Sequence, residues 1–249
     1  MSPWATTSTR TNACWSCCDG SRPPAHGAIL LSGGHPRFIT FEGGDGCGKS
    51  TQMARAAALL RAHDLPVCTT REPGGSPVGR EIRRLLLDDA FHPTPPCELL
   101  LFLADRAEHV ATVIAPALER GAWVLCDRYS DSTLAYQLAA RRLGRIEEAA
   151  ALVRYAEQGI SPGCTLWFDL APEEAMARIA ARGAAGEGRI DREGRIDREA
   201  LAFHRAVHRA FAELHRRHPE RIRRVDAGGT IDEVAARVER LLRPLIAGD

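Results

Sequence analysis

The chain has 249 residues, 45% of them hydrophobic, and a formal net charge of +1 at neutral pH. That is enough apolar material for one buried core with appendages and too little length for two full domains. Near-neutrality excludes the broad positive field of a nonspecific nucleic-acid or membrane-surface binder, so any anion site has to be local. No apolar run reaches the ~20 residues that a bilayer span needs. Of the eight cysteines, Cys14, Cys17 and Cys18 are clustered and the others are scattered, some inside apolar runs where a free thiol acts as a small hydrophobe. These features predict a reduced, cytoplasmic protein.

Residues 1–36 are rich in Ser, Thr, Pro, Gly and Ala, with no periodic apolar pattern, and are expected to be a disordered N-terminal extension. The Cys14-x-x-Cys17-Cys18 cluster has no second Cys/His pair at ligand spacing, which argues against a zinc site. From 37 to 249, short apolar runs alternate with helical patterns. The runs predict strands at 38–42, 67–70, 123–126, 165–170 and 222–225. Helices are predicted at 49–62, 76–87, 97–120, 131–141, 145–158, 173–182, 199–217 and 231–246, the third kinked at Pro116. Strands separated by helices define an α/β fold, a five-stranded parallel sheet with helices on both faces. Ligands of such sheets bind beyond the carboxyl ends of the strands.

The first strand leads through Glu42 into Gly43-Gly44-Asp45-Gly46-Cys47-Gly48-Lys49-Ser50-Thr51, which fits G-x-x-x-x-G-K-[ST], and an Ala/Leu-rich helix follows at once. Strand, turn and helix in that order are the context of a P-loop. Its glycines let backbone N–H groups turn inward on phosphate oxygens, and the helix N-terminus adds to the attraction. Lys49 would reach the outer phosphates and the Ser50 hydroxyl would ligate Mg²⁺. Lys49 is the single lysine among 33 Lys and Arg residues. A compact ammonium suits a phosphate cradle where a planar guanidinium would not fit. Cys47, beside the helix N-terminus, is expected to carry thiolate character.

The next two strands end in Thr70-Arg71-Glu72-Pro73-Gly74-Gly75 and Asp127-Arg128-Tyr129. Asp127 is placed like the acid that supports Mg²⁺ in P-loop enzymes, the plainer alternative being a helix cap. Arg71 and Arg128 bring two guanidinium forks to the same edge, suited to a second phosphate-bearing ligand. Phe102 and Arg106 stand four apart on one helix face, so a base could stack on one and bond to the other; a core phenylalanine and a surface arginine are the alternative.

Four blocks carry a resemblance. They are Phe-Glu-Gly-Gly-Asp-Gly-Cys-Gly-Lys-Ser-Thr-Gln (41–52), Thr-Arg-Glu-Pro-Gly-Gly (70–75), Leu-Phe-Leu-Ala-Asp-Arg-Ala-Glu-His (101–109) and Asp-Arg-Tyr-Ser-Asp-Ser-Thr-Leu-Ala-Tyr-Gln (127–137). In that order they resemble bacterial thymidylate kinase from about residue 37 onward. The resemblance implies a nucleoside monophosphate kinase fold with a small lid, here about 183–199, usually a homodimer. The implied reaction passes the γ-phosphoryl of ATP to dTMP with Mg²⁺. It also implies that Arg71 and Arg128 hold the dTMP phosphate, that Phe102 stacks on thymine and that Arg106 bonds its carbonyl edge. Thr133 and Gln137 would be polar contacts to the base, Tyr136 would close the space a ribose 2′-hydroxyl needs, and Asp45 and Asp127 would lie near Mg²⁺. Another P-loop kinase of (deoxy)nucleoside monophosphates is the runner-up, and a P-loop switch or ATPase without acceptor fits Arg71, Phe102, Arg106 and Arg128 less well.

The stretch 43–48 contains no arginine, which resembles the bacterial subtype whose transition-state arginine comes from the lid. Gly-Arg-Ile-Asp-Arg-Glu occurs there twice in tandem, at 188–193 and 194–199. The second copy runs straight into Ala200-Leu201-Ala202-Phe203-His204, as the family's lid box meets its next helix. Register therefore favours Arg195 over Arg189, and Arg189 over Arg182, as the catalytic arginine.

Overall fold

Strand β1 (His35–Glu42) lies at the centre of the sheet, and its side chains already divide the molecule in two. Phe38, Thr40 and Glu42 alternate with Ile39 and Phe41, and all five are fully buried, as a strand covered on both faces requires. The computed structural model describes residues 34–143, 146–184 and 199–247. The predicted tail, but for its last three residues, and residues 185–198 of the predicted lid lie outside these. β1 starts at His35, ahead of the expected boundary at 37, because the His35 N–H donates to the Ser161 carbonyl and the residue pairs with Pro162.

Around β1 the strands β2 (Val67–Arg71), β3 (Trp123–Asp127), β4 (Pro162–Asp169) and β5 (Ile222–Asp226) form one parallel sheet in the order β2-β3-β1-β4-β5. The register sets Phe41 and Arg71 each beside Asp127, so three strands end level with one another. The glycine loop, Arg71 and the Asp127-Arg128-Tyr129 turn therefore leave the sheet along one edge.

On one face Ile39, Phe41, Leu125, Leu166 and Phe168 pack with α1 (Lys49–Ala62) and α9 (Ile231–Ala247) through Ala56, Leu60, Val234, Val238 and Leu242. On the other, Phe38, Val124 and Cys126 meet Val110, Ile114 and Tyr129, while Trp167 and Ile222 meet Tyr136, Val207 and Phe211. Under this second layer runs a polar seam. The hydroxyls of Thr40 and Thr165 lie 2.8 Å apart, Thr165 donates to Asp131, and Arg221 grips that carboxylate with both terminal nitrogens at 2.7 and 2.8 Å. A buried carboxylate satisfied by a fork and a hydroxyl is tolerated where an unpaired one would not be.

The remaining helices are α2 (Pro77–Leu87), α3 (Pro95–His109), α4 (Ala115–Glu119), α5 (Ser130–Thr133), α6 (Ile146–Glu157), α7 (Pro172–Ala184) and α8 (Leu201–Arg217). Two predicted helices are interrupted. The long third one does not simply kink at Pro116; it widens into a π-helical stretch over Val110–Ile114 before α4 begins. Proline cannot donate to the carbonyl four residues back, so the irregularity falls on the turn preceding it. The helix after β3 likewise passes from α5 into a π-helical Leu134–Ala140, which carries Tyr136 and Gln137; such wide turns occur often at functional sites.

Candidate active site

The glycine loop is shaped by what surrounds it. Gly43 and Gly46 have φ of 138° and 79°, and a Cβ on them would lie 2.7 Å from the Phe168 carbonyl and 2.5 Å from the Ala175 carbonyl. No other residue fits there. Gly48, left-handed at φ 92°, is the N-cap of α1 and has no side chain with which to bond the helix's first N–H groups. Those groups line the loop, as a phosphate cradle requires. The buried Lys49 ammonium donates to the carbonyls of Gly43 at 3.2 Å and Gly44 at 2.7 Å.

Ser50 donates its hydroxyl to Asp127 at 2.7 Å, across the sheet edge. Hydroxyl and carboxylate make a hard oxygen pair suited to Mg²⁺, which keeps several waters and takes its remaining ligands from phosphate. Among the described residues no group of three His, Cys, Asp or Glu is arranged to hold a metal without such help. The helix-cap alternative for Asp127 is not what forms, since Tyr129 precedes α5 and no side chain caps it. Asp45, expected with the same metal group, pairs with Arg128 and accepts the Tyr136 hydroxyl at 3.3 Å. Thr51 is exposed on the first turn of α1.

Arg128 has φ of 72°, rare for a side chain of this size and a form of local strain that clusters at functional sites. Its N–H bonds the Phe41 carbonyl at 3.0 Å. Its guanidinium donates to the Gly43 carbonyl at 2.9 Å and Ser132 at 3.2 Å, and lies 5.0 Å above the Tyr136 ring. The turn is locked from below by Glu42, which accepts the Tyr129 N–H at 2.7 Å and the Ser132 hydroxyl. Burial, then the nearby Asp131, push the Glu42 carboxyl above its usual range. The carbonyl of Gly43 thus accepts from both Lys49 and Arg128, bringing a cation of the nucleotide loop and a cation of the facing turn to one atom.

On the other side, Arg71 closes β2 and is exposed, level with Asp127. Arg106 is not the surface arginine that its type suggests. Buried, it bonds Glu72 through Nε at 2.9 Å and a terminal nitrogen at 2.8 Å, donates to Thr133 at 3.0 Å and sits 4.8 Å over the Tyr129 ring. Phe102, half-buried, joins the cluster of Tyr136 and Phe203. Gln137 donates to Glu98 at 3.1 Å, which Arg141 also binds. Residue-by-residue reading passed over Glu42, Glu72, Glu98, Asp105, His109 and Ser132. The signal for two of them was their α3 spacing, since Asp105 and His109 are one turn apart and share a face with Phe102 and Arg106.

One expectation fails. Cys47 is buried among Phe41, Phe168 and Ala175, and burial outweighs the favourable pull of Lys49 and Arg128, so its thiol is pushed up rather than toward thiolate.

Asp105 accepts the Gly74 N–H at 2.9 Å through one oxygen, while the other has no partner among the described residues. Burial, then the charge of Glu72, raise it to about 7. A folded-state value above the unfolded one means that its contribution to stability is full below the unfolded value and is lost as pH rises through about 7. The melting temperature is expected to fall by several degrees between about pH 5 and about pH 8, each kcal/mol being worth about 2–4 °C in a chain of this size. Asp105→Asn, which keeps an oxygen for Gly74, should flatten that slope in a pH series of thermal melts; an unchanged slope would assign it elsewhere.

A five-stranded parallel sheet with a lysine-bearing phosphate loop facing two arginines across one edge defines a P-loop kinase of the nucleoside monophosphate type. The family model for thymidylate kinase matches residues 41–238. The thymidylate kinase of Gloeobacter violaceus is 47% identical over 203 residues, covering 81% of this chain and 92% of that protein. That of Clavibacter sepedonicus is 47% identical over 210 residues, covering 84% and 96%, and that of Pseudomonas putida 43% over 212 residues, covering 84% and 96%. The chain belongs to the thymidylate kinase family.

Proposed function

We propose that this chain transfers the γ-phosphoryl group of ATP to dTMP, giving dTDP and ADP. The observation that supports this reading is the shared carbonyl of Gly43, which accepts from both Lys49 and Arg128, so that a donor phosphate on one cation and an acceptor phosphate on the other would be held close together. Lys49 and the first N–H groups of α1 would hold the triphosphate. Arg128 and Arg71 would hold the acceptor phosphate, and Phe102, Arg106 and Thr133 would take the base. Bound Mg²⁺, held by Ser50 and Asp127, would neutralise charge shared by the β- and γ-phosphate oxygens. Positioning and charge suffice, and no covalent intermediate is called for. The Tyr136 ring, fixed between Arg128 and the edges of Phe203 and Phe211, supports its reading as the residue that fills the space of a 2′-hydroxyl.

The same reading assigns the enzyme to the cytoplasm as a homodimer. Among the described residues no helix is long and apolar enough to cross a membrane. Leu100 on α3 and Leu152 and Tyr155 on the neighbouring α6 are exposed, and a second copy would cover them. The test is ADP release across dTMP, dUMP, dCMP, AMP and thymidine, with and without Mg²⁺. Release that depends on Mg²⁺ and is fastest with dTMP is expected. Preference for another monophosphate would favour the runner-up kinase, and release without any acceptor would make the chain an ATPase.

A further inference from the structure

The turn carrying Arg71 is held from both sides by one helix. Thr70, just before it, lies 2.6 Å from His109 Nε2, and Glu72, just after it, meets His109 Nδ1 at 3.0 Å and Arg106 at 2.8 and 2.9 Å. Asp105 on the same helix takes the Gly74 N–H, and the Glu72 N–H bonds the Asp127 carbonyl at 3.0 Å. Space is reserved for these contacts. A Cβ at Gly75 would lie 2.3 Å from His109 Nε2, and one at Gly79 2.3 Å from Asp105 Oδ1.

Glu72 is therefore joined at once to the backbone next to Arg71 and to the side chain of Arg106. A guanidinium is planar, so fixing one edge against a carboxylate fixes the direction of the other. Losing the charge of Glu72 would also leave Arg106 buried and unpaired, which is strongly unfavourable. We propose that Glu72, oriented by His109, is the positioning residue of the acceptor site, a single carboxylate that sets both the phosphate-binding turn and the base-binding arginine. This rests on the acceptor roles proposed above for Arg71 and Arg106 and adds that the two ends of the acceptor are not recognised independently.

The test is Glu72→Gln, measured by steady-state kinetics together with competitive inhibition by thymidine, which has only the base end, and by 2-deoxyribose 5-phosphate, which has only the phosphate end. The expected result is a rise of about tenfold or more in KM for dTMP, the size of one lost charge-assisted hydrogen bond, with KM for ATP within about twofold. Both inhibitors should weaken. Weakening of one alone, or an unchanged KM for dTMP, would overturn the proposal, as would equal losses for ATP and dTMP, which indicate general damage to the fold. Should Glu72→Gln fail to fold, His109 provides the same comparison. His109→Asn keeps a donor toward Glu72 and should retain most dTMP affinity, whereas His109→Leu should lose it; equal behaviour of the two would overturn the proposal. If the wild-type enzyme turns over a different monophosphate, the functional reading fails, and the same variants assayed with that acceptor still decide the role of Glu72.

Discussion

Arg128→Lys is expected to lower kcat/KM for dTMP by about 10²-fold or more, the range of losing a preorganised donor aimed at transition-state charge. Positive charge survives the change; the fork does not. One terminal nitrogen of Arg128 binds Gly43 and Ser132 while the other binds Asp45, and a single ammonium cannot span the two directions. The left-handed backbone at 128 is equally strained for lysine, so the fold should tolerate the exchange, which a thermal melt would verify. ATP affinity should change little, because Lys49 and the helix terminus remain. Activity within about fivefold of wild type would mean that charge alone suffices.

Arg195→Ala is expected to reduce kcat by about 10³-fold with little effect on ATP binding, as removal of an arginine finger does. Arg195 lies outside the described residues. The two copies of the hexapeptide cannot serve equally. If both were helical, six residues at ~100° each would turn them about 240° apart. Glu199, which ends the second copy, is described: it pairs with Arg141 at 2.6 Å, the guanidinium of which also binds Glu98 and lies 4.7 Å over Phe203 of α8. Glu199, four residues beyond Arg195, is thus tied through Arg141 to Glu98 of α3 and Phe203 of α8. Deletion of 188–193 should be mild by comparison in the same turnover assay. A mild Arg195→Ala with an inactive deletion would give the chemistry to the first copy.

What could be read in the sequence was what nearby residues determine together. The five strands and the glycine loop follow from apolar runs ended by short motifs, and the sheet register then brings Arg71 beside Asp127. Partnerships across long separations were not legible. Arg106 is typed as a surface residue until Glu72 folds against it, and Glu42 looks like the last residue of a strand until the turn at Arg128 closes over it. Cys47 misled for the same reason. Its helix N-terminus is visible in the local sequence, but Phe168 and Ala175, which seal it from water, come from β4 and α7. The wide turns at Val110–Ile114 and Leu134–Ala140 were also hidden, since an apolar helix pattern reads alike at either pitch.

The central place of β1 also bears on how the chain is made. The strand that leads into the glycine loop precedes the others in the chain, yet it does not pair with β2, the next strand in sequence; its neighbours are β3, met from Val124, and β4, met from Pro162. Contacts between such distant segments must overcome a large loop-closure entropy before they stabilise anything, which slows folding and leaves apolar strands exposed meanwhile. The nascent chain carries Phe38, Ile39 and Phe41 without a strand neighbour until β3 has been made. The glycine loop is therefore fixed only once β3 and the turn at Arg128 have closed against it, so nucleotide can stabilise the finished enzyme without guiding its early folding.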